Sequence, residues 1–218
     1  MAKISIVGTG PGSPDYVTPA ARKAVQKAQV VIGADRSLSL FQEDIKGETL
    51  KLTGKNVEEL FKYANEAAEK GKDVALLSTG DPGFSGLLGS VLRRNLSKGV
   101  EVQVIPGVSS IQACAAAIVM NWEEAVLFTF HDGVTDQKKS ALLTAAKAGK
   151  DIMLLPEPRT FKVQDIAQFL INNGVGAKTP IVVCENLTLK EEKITKSTLK
   201  EASKLSFSPT CVMVIKTA

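Results

Sequence analysis

Apolar positions along the chain fall into two alternating patterns. Short runs rich in valine, isoleucine and leucine at residues 4–7, 30–32, 74–78, 102–105, 126–130, 152–155, 181–184 and 211–215 read as strands, and the segments between them carry apolar residues at helical spacing. That alternation predicts an α/β fold. Thr18 before Pro19 marks a helix start, with a capping hydroxyl followed by a proline where no donor is needed. Ala20, Ala21, Ala24, Val25 and Ala28 supply the apolar side of this helix. Asn56 with Glu59 reads as a capping box, and Leu60, Phe61, Ala64, Ala67 and Ala68 carry the helix it opens to Gly71. Residues 84–98, ending before Gly99, repeat the pattern, and Ser109 with Gln112 opens an alanine-rich helix running from Ile111 towards Met120. The polar break Asn121-Trp122-Glu123-Glu124 then predicts a domain boundary, with an N-terminal lobe at 1–120 and a C-terminal lobe at 121–218. The polar stretch 190–204 reads as a surface connection.

Composition narrows the class without naming a chemistry. A chain of 218 residues holds one large or two small domains. No apolar run approaches the roughly 20 residues that span a bilayer, so no membrane segment is expected. The N-terminus enters a strand directly, without the basic flank and long apolar run of a secretory signal, and a cytoplasmic location is the expectation. Cys114, Cys184 and Cys211 sit far apart in apolar runs and read as core thiols; with His131 standing alone, no metal site is expected. The net charge of +4 comes from scattered lysines with few aromatics, which argues against nucleic acid. It suits a polyanionic small substrate and equally a solvated surface.

Three strand-to-helix turns carry the candidate chemistry. The first, Gly8-Thr9-Gly10-Pro11-Gly12-Ser13-Pro14-Asp15, resembles a dinucleotide fingerprint. Pro11 and Pro14, however, remove two backbone donors and postpone the helix to Thr18, which disfavours a pyrophosphate. Asp35 argues the other way, standing about where an acid meets a ribose in an NAD site. Its alternative is a cap for a helix from Arg36. In the second turn, Ser78-Thr79-Gly80-Asp81-Pro82-Gly83-Phe84, Asp81 lies at a strand's carboxyl end. There it either orients a ligand or bonds backbone N–H groups of its own turn. The third turn is Pro106-Gly107-Val108-Ser109-Ser110. His131, the only histidine, follows a strand and is the candidate acid or base. Arg22, Arg36, Arg93, Arg94 and Arg159 are candidate carboxylate grips, of which Arg159 alone sits in an obvious loop beside Pro156-Glu157-Pro158.

Taken together, the GxGPGxP loop, the Gly80-Asp81-Pro82 turn and Pro106-Gly107-Val108-Ser109-Ser110, in that order, resemble the tetrapyrrole methylase family over nearly the whole chain. Residues 77–84 and 106–112, with Trp122-Glu123-Glu124-Ala125 and Glu185-Asn186-Leu187-Thr188, are most similar to the branch that methylates carbon 5 of cobalt-precorrin-7 in cobalamin synthesis. The resemblance implies two α/β lobes with S-adenosylmethionine in the cleft between them, a homodimer and a corrin precursor as methyl acceptor. It also implies a separate partner protein for C15 methylation and decarboxylation. Carried over position by position, it assigns cofactor contact to Val7, Pro11, Gly80, Asp81, Phe84, Ser109, Ser110, Leu155, Leu187 and Pro209. Gly10, Gly12 and Arg159 fall to the substrate, the first turn facing the tetrapyrrole and the second the methyl donor. Similar enzymes commonly show His-Gly-Arg where this chain has His131-Asp132-Gly133, so a carboxylate contact from that arginine is missing. The alternatives are a sibling methylase acting on another corrin carbon or on a diphthamide precursor (a diphthine synthase) and, in a different class, an NAD- or nucleotide-binding module.

Overall fold

The structure, a computed structural model, describes residues 2–94 and 99–217. It divides into two compact units, Met1–Ser109 and Ser110–Ala218. The first contains β1 (Lys3–Gly8), α1 (Pro19–Lys27), β2 (Val30–Gly33), α2 (Asp35–Ser39), β3 (Glu48–Lys51), α3 (Val57–Glu69), β4 (Val74–Ser78), α4 (Leu87–Arg93) and β5 (Glu101–Ile105). Its strands form one sheet in the order β3-β2-β4-β1-β5 with every pairing parallel. Central strands buried on both faces explain the unbroken apolar runs in β1, β2 and β4. Ile4, Ile6, Val30, Ile32, Val74 and Leu76 pack against α3 and Val91 of α4, while Val7, Val31, Ala75 and Leu77 face α1 and Phe41.

The second unit holds α5 (Ser110–Ala117), β6 (Val126–Thr129), α6 (Asp136–Lys147), β7 (Ile152–Leu155), α7 (Val163–Asn172), β8 (Pro180–Glu185), β9 (Lys193–Thr198), α8 (Leu199–Ala202) and β10 (Cys211–Ile215). Its sheet, β6-β7-β10-β8-β9, is mixed: β6 and β7 are parallel, and the other pairings are antiparallel. Ile152, Leu154, Ile181, Val183, Met213 and Ile215 form the core with α6, α7 and α8. Among the described residues no helix is long and apolar enough to cross a membrane.

All eight expected strands form, with ends shifted by one residue at most. Two more, β3 and β9, lie at sheet edges, where one side meets solvent. A sequence such as Glu48-Thr49-Leu50-Lys51, with a single apolar residue, then suffices. The expected surface connection at 190–204 therefore contains β9 and α8, the latter opened by a capping box between Thr198 and Glu201. Thr18 caps α1 as expected, its Oγ1 accepting from Ala21 N at 3.1 Å. Asn56 makes no cap bond to α3. Its Oδ1 turns back to the Thr53 amide at 2.7 Å, a local bond that competes with the helix. The helix expected at 84–98 begins at Leu87, and its expected end at 95–98 lies outside the described residues. The alanine-rich helix α5 belongs with the second unit, which begins at Ser110, instead of closing a first lobe that ends at residue 120. It packs on β10, and its Cys114 thiol hydrogen-bonds that of Cys184 in β8. All three cysteines are free and buried; burial pushes the Cys211 thiol up to about 12.

Candidate active site

In the first unit, β1 and β4 lie side by side, yet β1 leads to α1 on one face of the sheet and β4 to α4 on the other. A parallel sheet opens at such a point, at the carboxyl ends of its strands. Both glycine turns leave the sheet there. They are tied to each other: Thr9 N donates to Ser78 O at 2.9 Å, Gly80 N to Gly10 O at 2.8 Å, and Gly10 N to Gly80 O at 3.3 Å. Gly10 and Gly80 have φ of +79° and +69°, backbone that favours glycine.

The third turn closes on the same point. Asp81 Oδ1 accepts from Gly83 N at 2.8 Å and Oδ2 from Gly107 N at 3.1 Å, so the carboxylate binds its own turn and clamps the turn after β5. A Cβ on Gly8 would meet Gly107 N at 2.5 Å, and one on Gly107 would meet Gly80 O at 2.5 Å. Three main chains touch there because none carries a side chain.

Ser78 takes part as well. Its Oγ accepts from Leu87 N at 3.0 Å at the start of α4, and Gly86, with no room for a Cβ, must pass before that helix begins. This is why α4 starts three residues later than its sequence suggests. Thr9, 1% exposed, has a hydroxyl with no hydrogen-bond partner among the described residues.

This arrangement bears on the dinucleotide alternative. The Thr9 and Gly10 amides are spent on β4's turn, and Pro11 has none, so the first turn offers no row of free donors to a pyrophosphate. Asp35 is not the cap: Ala34 occupies the cap position, and the exposed Asp35 pairs with Lys51.

Of the expected first-unit residues, Gly10, Gly12, Pro11, Gly80, Asp81, Phe84 and Ser109 gather at this edge. Val7 lies inside the sheet, paired with Leu77 and Ile105. Pro11 and Gly12 are buried, Phe84 is half-buried, and Ser110 begins α5 in the second unit.

The second unit also collects its expected residues along one sheet edge. Parallel β6 and β7 end there, antiparallel β10 starts there, and β8 ends there. These four ends carry His131, Leu155, Pro209 and Leu187 respectively. The exposed His131 hydrogen-bonds the Pro156 backbone beyond β7, and its N donates to Thr129 Oγ1 at 3.2 Å. Desolvation holds its pKa below the ordinary histidine value, outweighing the Pro156 bond and the charges of Glu157 and Asp132.

Glu157 organises the next turn. Its Oε2 accepts from the Thr160 amide, from Thr160 Oγ1 at 2.8 Å and from Arg159 N at 2.9 Å, and the Thr160 amide leads in lowering its pKa. Arg159 is exposed and forms no ion pair among the described residues, whereas Arg22 pairs with Asp44 and Arg94 with Glu58, both at 2.6 Å. Arg36 and Arg93 are exposed on helices. Leu155 and Leu187 are buried.

The exposed Pro209 borders a cavity of 240 Å³, walled by Pro156, Pro158 and Phe207, with Ser206 and Ser208 at its rim. The sequence named Glu185 only as part of a motif and gave it no role; it is a buried carboxylate that holds this wall: Oε1 accepts from Ser208 N at 2.7 Å, and Ser208 Oγ donates to Asn186 Oδ1 at 3.0 Å. An acid closing an otherwise apolar strand was the available signal.

The comparisons agree with this architecture. A sequence profile of the tetrapyrrole (corrin/porphyrin) methylases matches residues 3–203. The chain is 39% identical over 211 residues to a probable cobalt-precorrin-7 C(5)-methyltransferase of Methanocaldococcus jannaschii, covering 97% of this chain and 96% of that one. It is 31% identical over 210 residues to a cobalt-precorrin-4 C(11)-methyltransferase of Priestia megaterium, covering 91% and 80% of the two chains. A solved structure of a cobalamin biosynthetic enzyme, cobalt precorrin-4 methyltransferase, matches with a TM-score of 0.82 and 28% identity, covering 98% of this chain and 94% of the other.

Proposed function

The chain belongs to the tetrapyrrole (corrin/porphyrin) methylases, and from that membership we propose that it methylates ring carbon 5 of cobalt-precorrin-7 in cobalamin synthesis, with S-adenosylmethionine as donor. Similarity to the Methanocaldococcus C5 enzyme over almost the full length of both chains carries this choice of carbon.

S-adenosylmethionine supplies a methyl group already activated by its sulfonium. The protein therefore needs to align acceptor carbon, methyl and sulfur more than to generate a strong nucleophile. The residues assigned to the donor are Val7, Pro11, Gly80, Asp81, Phe84 and Ser109 in the first unit and Ser110, Leu155, Leu187 and Pro209 in the second. The cavity beside Pro209 joins proline and phenylalanine walls to serine hydroxyls, suited to a flat heteroaromatic ring with a polar rim.

Asp81 serves by fixing its turn, since both carboxylate oxygens hold backbone amides. Gly10, Gly12 and Arg159 face the corrin, and the unpaired guanidinium suits one of its acidic side chains. His131, whose lowered pKa favours the neutral imidazole, takes the proton released from the ring. In the same reading the enzyme is a cytoplasmic homodimer, and a separate protein carries out C15 methylation and decarboxylation. Sedimentation tests the dimer.

Titration calorimetry tests the donor. Micromolar binding of S-adenosylhomocysteine with no binding of NAD or ATP supports the reading; the reverse overturns it. A second reading, methylation at carbon 11, is favoured by the cobalt-precorrin-4 enzymes matched in sequence and in structure. Assay against a panel of corrin intermediates separates the two.

A further inference from the structure

Lys138 occupies an unfavourable place. It is the third residue of α6, whose cap is Thr135, and an acid or amide is favoured there because the helix N-terminus is the positive end of its dipole. An ammonium at that end is disfavoured unless oxygens surround it. They do: Lys138 Nζ donates to Thr129 O at 3.1 Å, to Gly133 O at 3.3 Å and to the Asp132 carboxylate. An ammonium has three donors, and each has an acceptor. Lys138 is thus matched within its own loop and is not held ready for an anionic ligand. Its three partners span residues 129–133, from the end of β6 into the loop before α6, and His131 lies in the middle of that span.

We propose that Lys138 is a positioning residue for His131, holding the loop 129–133 so that the imidazole stays against the Pro156 backbone. This rests on the proposed function only for the use made of His131; the positioning is a property of the loop. Three neighbours face the ring: the Pro156 carbonyl and Glu157 from beyond β7 and Asp132 from its own loop, and Lys138 reaches it only through Asp132. Removing the ammonium takes one countercharge from Asp132 and lets the ring leave the Pro156 backbone, which relieves its desolvation and gives up the bond to that carbonyl. The lost Pro156 bond disfavours the imidazolium, but desolvation is the largest influence on the ring, so the balance favours it.

Because the chain has a single histidine, its imidazole resonance reports this directly. In Lys138→Met the resonance should titrate at a pH higher by about one unit, a tenfold change in the proton-binding constant. Lys138→Arg, which keeps the charge and several donors, should restore most of the original titration. The acid limb of the pH–rate profile should move with the resonance, while S-adenosylhomocysteine affinity stays within about twofold, a change too small to mark a lost contact. Lys138→Gln, shorter in loss and polar, serves if the methionine variant fails to fold. An unchanged titration in a folded Lys138→Met or Lys138→Gln variant overturns the proposal. If the resonance shifts and His131→Ala nonetheless retains full turnover at every pH, Lys138 positions the ring, and it is the acid–base reading of His131 that falls.

Discussion

The carboxylate of Asp81 accepts a hydrogen bond from the backbone N–H of Gly107 at 3.1 Å, across 26 residues of sequence. With its second bond to Gly83 N, this one side chain sets the turn after β4 against the turn after β5. Replacing Asp81 by alanine leaves two amides without their charged acceptor and should lower stability by about 1–3 kcal/mol, read from urea unfolding. S-adenosylhomocysteine binding should fall as well. Asparagine, which accepts only one of the two bonds, should lie between the two.

The meeting of the three turns depends on missing side chains. Gly8→Ala and Gly107→Ala each drive a methyl into backbone 2.5 Å away, and each should destabilise by more than about 2 kcal/mol. Gly54→Ala is the control, since its Cβ has nothing within 4 Å and the position has no left-handed backbone. There alanine should be neutral or stabilising by up to about 1 kcal/mol.

Thr9 behaves oppositely. Its buried hydroxyl has no partner among the described residues, so Thr9→Val, which keeps the shape and removes the polar atom, should raise stability by about 1 kcal/mol. A drop in melting temperature would show that the hydroxyl is used.

How much of this was legible in the sequence follows from the range of each interaction. The apolar runs of β1, β4 and β10 mark themselves, because burial on both faces demands an unbroken apolar stretch. Polar edges such as Lys193-Ile194-Thr195-Lys196 do not. Asp81 was recognisable as a turn acid, and one of its two bonds, to Gly83, is local. The other depends on β5 and β4 flanking β1, a fact of sheet order that no local pattern carries. The same holds for Gly8, whose neighbour Gly107 is known only once the strands are paired. Lys138 could have been noticed as a base in the first turn of a helix, but its three oxygens come from a loop whose path the sequence does not draw.

His131 gives a pH prediction whose sign is fixed. Its folded pKa lies below the ordinary value, so the unfolded chain binds the proton more readily. Its neutral-state contribution to stability is fully present above the unfolded pKa and declines as the pH falls through that value towards the folded one. His131→Gln should flatten this acid-side slope in unfolding curves recorded between about pH 4 and 8, a window bracketing the ordinary value of about 6.5.

The most direct measurement is the fate of the methyl group itself. Incubated with cobalt-precorrin-7 and S-adenosylmethionine bearing a ¹³C-methyl, the protein should yield a product whose new methyl resonance is assigned to ring carbon 5, with cobalt-precorrin-4 left unmethylated. A label on carbon 11 of cobalt-precorrin-4, with cobalt-precorrin-7 unchanged, would contradict the account.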